Sequence, residues 1–418
     1  MKPNRLLTIL AGALLALVLA QAPSAALRQT GPAPQTTTAT DQHPCAQISN
    51  EQQVSPAALA KLRKLCAAQP TYRVGYSSAF ELNVQNLADI EIPPDLPKTL
   101  PRIRVESTRR LTQQQANQAQ FIKEHPGTEF KPEWDLYALL KADFQARHPN
   151  QRVPLTVSAL APYIDRFDWK KYLMLWVVDQ RPCNSCWAFA AVAAFESNVQ
   201  LQNMKTNYTR LQPVESKPGV RIALPSAIHT IDFSEQALIN CIGRKKADCN
   251  IGGWPGSAFD FMVRKGLVRA ENRPRGNINM NLSGDYTGAV QPCDTAGEEK
   301  VRAAAWGYVA YPPKNPTVAQ LKKALLEHGP VAALVRVDAD GKFQSYKGGV
   351  FNEHDTFAPN HAILITGWDD AVKAWHIQNS WGEDWGEQGY MWIGYDSNGV
   401  GQYATWIEAP VGYDWGLL

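Results

Sequence analysis

Hydrophobic and polar positions divide the chain into three regimes. Residues 6–20 form an apolar run, broken only by Thr8 and Gly12, behind Lys2 and Arg5 and too short for a comfortable bilayer span. Small residues follow at Ala20-Gln21-Ala22 and Ser24-Ala25-Ala26. This is the layout of an export signal over residues 1–26, with an uncleaved anchor as the alternative. The second regime has helical spacing. Ser55 and Pro56 suit a helix start, with Leu59, Leu62 and Cys66 on one side. Further helical patterns cover residues 111–123 and 133–147; in the latter, Trp134, Tyr137, Leu140 and Phe144 make a stripe that reads as core or docking surface. Pro93, Pro94, Pro97 and Pro101 mark an irregular passage before them. The third regime begins at Asp168-Trp169. An alanine-rich helix is expected over residues 186–201, then short alternating runs at 331–337, 362–366, 374–378 and 390–394, separated by glycines. Those runs predict antiparallel strands.

Composition narrows the picture. The chain has 418 residues, 44% of them apolar, enough for a large core and two or three units. Its formal net charge of +3 comes from mixed acids and bases. Without a basic block, nucleic acid is not an expected partner, and no second apolar run could hold the chain in a membrane once a signal is removed. An exported chain meets oxidising conditions, where the seven cysteines imply pairing with one thiol left over.

Cys186 is the candidate for that thiol. It closes the turn Pro182-Cys183-Asn184-Ser185 and opens the alanine-rich helix. The unpaired N–H groups of a helix start favour an anion, so Cys186 is expected to be more acidic than an ordinary cysteine. The Cys183-x-x-Cys186 spacing also admits a redox or metal pair. A metal would want a second such pair, which the chain lacks, and a redox site would want a parallel sheet. No metal and no cofactor are therefore expected. His361 enters an apolar strand, where a histidine alone reads as a core group. Asn379, beside Trp381, could hold an imidazole proton. Thiol, base and orienting amide together follow the logic of a catalytic triad.

The segment from Gln180 to Ala190 resembles the active-site signature of papain and the cathepsins. Residues 359–367 resemble that family's histidine strand, and Gln378-Asn379-Ser380-Trp381-Gly382 its asparagine turn. Ser234-Glu235-Gln236 with Cys241, Cys249-Asn250 with Gly252-Gly253-Trp254-Pro255, and residues 343–351 resemble further stretches, so the likeness covers residues 165–418. It implies an α+β, papain-like fold of two subdomains: a mainly helical left one and an antiparallel, barrel-like right one, with the cleft between them. It implies Cys186 as nucleophile, His361 as proton partner, Asn379 as orienting group and Gln180 as oxyanion donor. Trp381 would shield the His361–Asn379 bond. Gly252 and Gly253 would pair with an extended polypeptide substrate, while Trp254, Pro255 and Leu334 would line an apolar pocket. Disulfides Cys183–Cys249 and Cys241–Cys293 follow from the resemblance; Cys45–Cys66 would complete the set.

Departures stand beside the likeness. Asn184 replaces a usual glycine, a change that left-handed backbone tolerates. Ile251 is an extra residue in the glycine loop, and residues near 203–232 read as an insertion. The family's usual prosegment helix signature is not visible in residues 27–160. By position, residues 27–160 form a pro-region that covers the cleft of the catalytic domain, 161–418; an accessory binding domain is the alternative. The functional expectation is an exported cysteine endopeptidase, periplasmic or extracellular, made as a zymogen that its own N-terminal segment blocks. An exopeptidase, an acyl transferase or a non-catalytic peptide-binding protein remain alternatives.

Overall fold

The structure is a computed structural model that describes residues 54–68, 70–124, 136–206, 232–242, 249, 251–268, 286–293 and 300–411. The export signal, Cys45, Trp134 and most of the 203–232 insertion lie outside the described residues.

The N-terminal region opens with helix α1 (Pro56–Ala67), where Ser55 Oγ accepts from Ala58 N at 3.3 Å and Leu62 and Cys66 turn inward. Strand β1 (Tyr72–Val74) follows, then helix α2 (Leu96–Glu124). The proline passage was expected to be irregular, yet Pro97 and Pro101 lie within α2. Pro97 falls in the first turn, whose N–H groups lack helical partners anyway, and Pro101 forfeits one bond close to that end. Helix α3 (Leu136–Arg147) buries Leu140 and Phe144, in line with a docking stripe, and a single turn, α4 (Val157–Leu160), leads into β2 (Arg166–Asp168).

The helical half comprises α5 (Cys186–Thr206), α6 (Glu235–Cys241) and α7 (Pro255–Arg264). Its neighbours are the small pair β3 (Leu267–Val268) and β4 (Lys300–Val301). The remaining strands are β5 (Ala305–Tyr308), β6 (Val331–Val335), β7 (Tyr346–Phe351), β8 (His361–Asp369), β9 (Ala374–Gln378), β10 (Tyr390–Gly394) and β11 (Gln402–Glu408), with α8 (Val318–His328) before β6. They order as β1-β7-β10-β9-β8-β6-β11-β5, and β2 pairs on β8. All of these pairings are antiparallel except β7–β10, which is parallel.

Strand β8 positions the site. Every residue in it is buried, so its two faces feed two cores. Ala362 and Leu364 join α5, α6 and α7, whereas Ile363 and Ile365 join the β-rich core. The latter also takes Leu62, Tyr72, Phe80, Leu87 and Phe144 from the N-terminal region, which is therefore packed into the fold and not a loose cover.

Candidate active site

Cys186 begins α5, and the Ser185 carbonyl accepts the first helical bonds from Ala188 and Phe189 at 2.8 and 3.2 Å. The turn before it is pinned by the Cys183–Cys249 disulfide and by Asn184 N donating to the Cys249 carbonyl at 3.1 Å. Asn184 does not adopt the left-handed backbone anticipated for it; its side-chain Nδ2 instead donates to the Gln85 carbonyl at 2.6 Å. Cys241–Cys293 is also bonded, and among the described residues Cys186 is the one free cysteine. Cys66 is oxidised, but its expected partner Cys45 lies outside the described residues. With Cys183 in a disulfide to Cys249, the Cys-x-x-Cys pair is not a redox pair in this structure.

The sulfur is fully enclosed, and main-chain N–H groups of Ala362, Trp187 and Asp89 point at it. Ala362 is the neighbour of His361, so the start of β8 delivers the imidazole to the start of α5. His361 Nε2 bonds Asn379 Oδ1 at 2.7 Å, and Nδ1 is buried with no bond of normal geometry. Trp381 lies over this pair, its ring 4.9 Å from the imidazole. Gln180 Nε2 donates to the carbonyls of Cys183, at 2.9 Å, and Leu87, at 3.1 Å. Two supports of Gln180 were not read from the sequence. Ser380 Oγ donates to Gln180 Oε1 at 2.6 Å, and the Tyr286 hydroxyl donates to the Gln180 carbonyl. Ser380 sits in the recognised Asn379 turn, and that adjacency was the available signal; Tyr286 had none.

Residues 84–92 run through the cleft. Ile90 bridges Gly253 in parallel, and Glu91 N donates to the Gly253 carbonyl at 3.3 Å. Both glycines are required by close approach. A Cβ on Gly252, at φ 73°, would stand 2.0 Å from the Asp89 carbonyl oxygen, and one on Gly253 would stand 2.5 Å from the Trp187 ring. Trp254, Pro255 and Leu334, expected to line an apolar pocket, are buried, and Ile90 and Ile92 pack against the core that Trp254 and Leu334 join.

Electrostatics here run against the expectation of an acidic thiol. Burial pushes the Cys186 thiol up to about 12, with the three N–H groups only partly opposing it. Burial likewise lowers His361 to about 4, offset in part by Asn379 and the Leu87 carbonyl. With water excluded by residues 84–92, both groups are neutral at pH 7.

The fold is α+β, and it sets a lone thiol at a helix start against the residue that follows a histidine tied to an asparagine. The family model described as papain family cysteine protease matches residues 163–214 and 220–410, more than half of the chain, and this chain belongs to that family. Among curated relatives, it is 32% identical over 227 residues to gamete and mating-type specific protein A of Dictyostelium discoideum, covering 54% of this chain and 41% of that one. It is 28% identical to fruit bromelain of Ananas comosus, covering 60% and 64%, and 32% identical to vignain of Vigna mungo, covering 54% and 52%. The match thus spans about half the length of these relatives. A ragweed pollen allergen cysteine protease solved in its proform shares the fold at a TM-score of 0.50 and 20% identity, over 86% of this chain and 90% of that one.

Proposed function

We propose that this chain is an exported cysteine endopeptidase made as a latent precursor, with Cys186 as nucleophile and residues 84–92 as the element that blocks it. The observation that carries this is the tie of His361 Nε2 to Asn379, which leaves Nδ1 as the nitrogen turned to the Leu87 carbonyl of the covering segment, on a residue whose neighbour contacts the Cys186 sulfur. In the opened cleft, the His361 Nδ1 takes the thiol proton and the thiolate attacks a peptide carbonyl carbon. Gln180 Nε2 and the Cys186 N–H hold the oxygen of the tetrahedral species. His361 returns the proton to the leaving amine, an acyl-enzyme forms, and water deprotonated by His361 hydrolyses it.

Latency has a direct physical basis. Leu87 keeps Gln180 engaged, and the group presented to the sulfur is the Asp89 N–H, a donor and not a carbonyl carbon. The segment therefore fills the site without being posed for attack. A fold shared with a proform over 86% of the chain, beyond the family-matched residues, supports the same reading. Residues flank the thiol on both sides, at Gly253 and at Gln344, so a polypeptide can run through the cleft, which favours an endopeptidase. The disulfides support export to a periplasmic or extracellular space.

The test is labelling by a thiol-reactive epoxide together with peptide hydrolysis, before and after cleavage of the folded chain between residues 148 and 167. Expected are slow labelling before cleavage, fast labelling at Cys186 afterwards, and loss of both signals in Cys186→Ala. Equal reactivity of the intact and cleaved chains would refute latency.

A further inference from the structure

Residues 78–83 occupy the end of the cleft opposite Gly252 and Gly253. Gln344, only 1% exposed, donates through Nε2 to the carbonyls of Ala79 at 2.6 Å and Leu82 at 3.0 Å. Asp384 Oδ2 accepts from Ser78 N at 2.7 Å and from the Ser78 hydroxyl. This end therefore grips a real peptide through a buried donor and a carboxylate acceptor.

We infer that Asp384 is a specificity-determining residue for the part of the substrate that follows the scissile bond, selecting a donor side chain there, Lys or Arg above all, and disfavouring Asp and Glu. The inference rests on the peptidase reading, in which His361 protonates the leaving amine: Phe343, next to Gln344, packs 6.4 Å from the His361 ring, so the Gln344 end takes the residues after the cut and the Gly252–Gly253 end those before it. Its charge logic is local. Arg181 is committed chiefly to Asp179, with Nε 2.6 Å from Oδ1; it also donates to the Ser78 hydroxyl and pairs with Asp384 at 3.5 Å. Lys347 Nζ is spent on the Asp384 main-chain carbonyl at 2.6 Å. Glu387 faces Arg73 of the N-terminal region at 3.7 Å, a cation lost when that region leaves. An emptied cleft thus exposes a carboxylate whose ion pair is a 3.5 Å contact to an arginine shared with Asp179, beside a main-chain clamp. A cationic side chain meets attraction there, Ser meets the hydrogen bond that Ser78 already makes, and a carboxylate meets repulsion.

The experiment uses the folded full chain after cleavage, with internally quenched peptides identical before the cut. Lys, Ser, Ala or Glu is placed in turn at each of the first four positions after it. Expected is a kcat/KM for Lys about fivefold or more above Glu at one or two positions, the scale of a partly exposed ion pair. The ratio should shrink in ~0.5 M salt, fall toward unity in Asp384→Asn, and invert in Asp384→Lys. Comparing ratios within each variant removes any effect of folding yield. The same peptides are also ranked by binding to cleaved Cys186→Ala. That ranking decides the inference even if no peptide is hydrolysed, an outcome that would count against the peptidase reading alone. A flat profile, or a Lys preference untouched by Asp384→Lys, would overturn the inference.

Discussion

The side-chain amide of Gln180 donates to the main-chain carbonyl of Leu87 at 3.1 Å, so the donor assigned to a reaction intermediate is already occupied by the chain's own N-terminal region. Leu87 is fully buried, and the Asp89 N–H two residues on faces the nucleophilic sulfur. Releasing this segment therefore frees two parts of the site at once.

Leu87→Asp places a carboxylate in a buried apolar cluster, at a cost of several kcal/mol to the closed state. In the intact chain, the rate of Cys186 labelling should rise by at least about tenfold relative to wild type. Mass-spectrometric quantification of the labelled thiol checks this, and an unchanged rate would mean that residues 84–92 do not control access.

Acid should open the cleft. His361 is lowered from 6.5 to about 4 in the closed state, so that state binds fewer protons than the open one. Its stability is complete above pH 6.5 and is lost as pH falls toward 4. Cys186, raised from 9.0 to about 12, acts at the other extreme: its contribution is complete below pH 9.0 and is lost as pH rises toward 12. Labelling and self-cleavage of the intact chain, followed in buffers from pH 7 downward, should accelerate below about pH 6, and His361→Gln should remove that acid limb from labelling.

Ser380→Ala removes the hydroxyl that holds Gln180 Oε1 at 2.6 Å. Leaving a buried acceptor unpaired lets the amide rotate out of register. Expected is a fall of about tenfold in kcat with KM little changed, less than the ~10²–10³ that complete loss of an oxyanion donor costs. Steady-state kinetics on the cleaved enzyme separate the two parameters.

The Cys183–Cys249 bridge spans 66 positions and anchors the turn that carries Gln180 and Cys186. Replacing both with Ser should destabilise the chain by about 2–5 kcal/mol, read as a lowered thermal midpoint, and should depress turnover as well. Loss of stability with full turnover would mean that the turn holds its shape without the bridge.

The helix that begins at Cys186, the capped helix after Ser55 and the strands near 331–335, 362–366, 374–378 and 390–394 were all legible, because each rests on local spacing of apolar residues or on a turn residue beside it. The disulfide partners of Cys183 and Cys241 were legible only through family likeness, since spacing alone leaves the pairing open. The proline passage was half legible: Pro93 and Pro94 precede the helix, but Pro97 and Pro101 lie in it, because proline near a helix start does little harm and whether a helix follows depends on what its face packs against. For α2 that surface is β5, supplied from about two hundred positions further along the chain.

By itself, the sequence determined which atoms can do chemistry here. A thiol at a helix start, a histidine opening a buried strand and an asparagine in an aromatic turn are local facts of residue order. Tertiary structure alone decided their protonation. A helix start favours a thiolate by at most about 2 kcal/mol, whereas moving a thiol from 9.0 to about 12 corresponds to about 4 kcal/mol against it. The stronger of these two effects arises because residues 84–92, brought to Gln180 across 93 positions of sequence, keep water away from the sulfur. Desolvation depends on everything that surrounds an atom, and so it is set by the folded chain, not by the residues next to the cysteine.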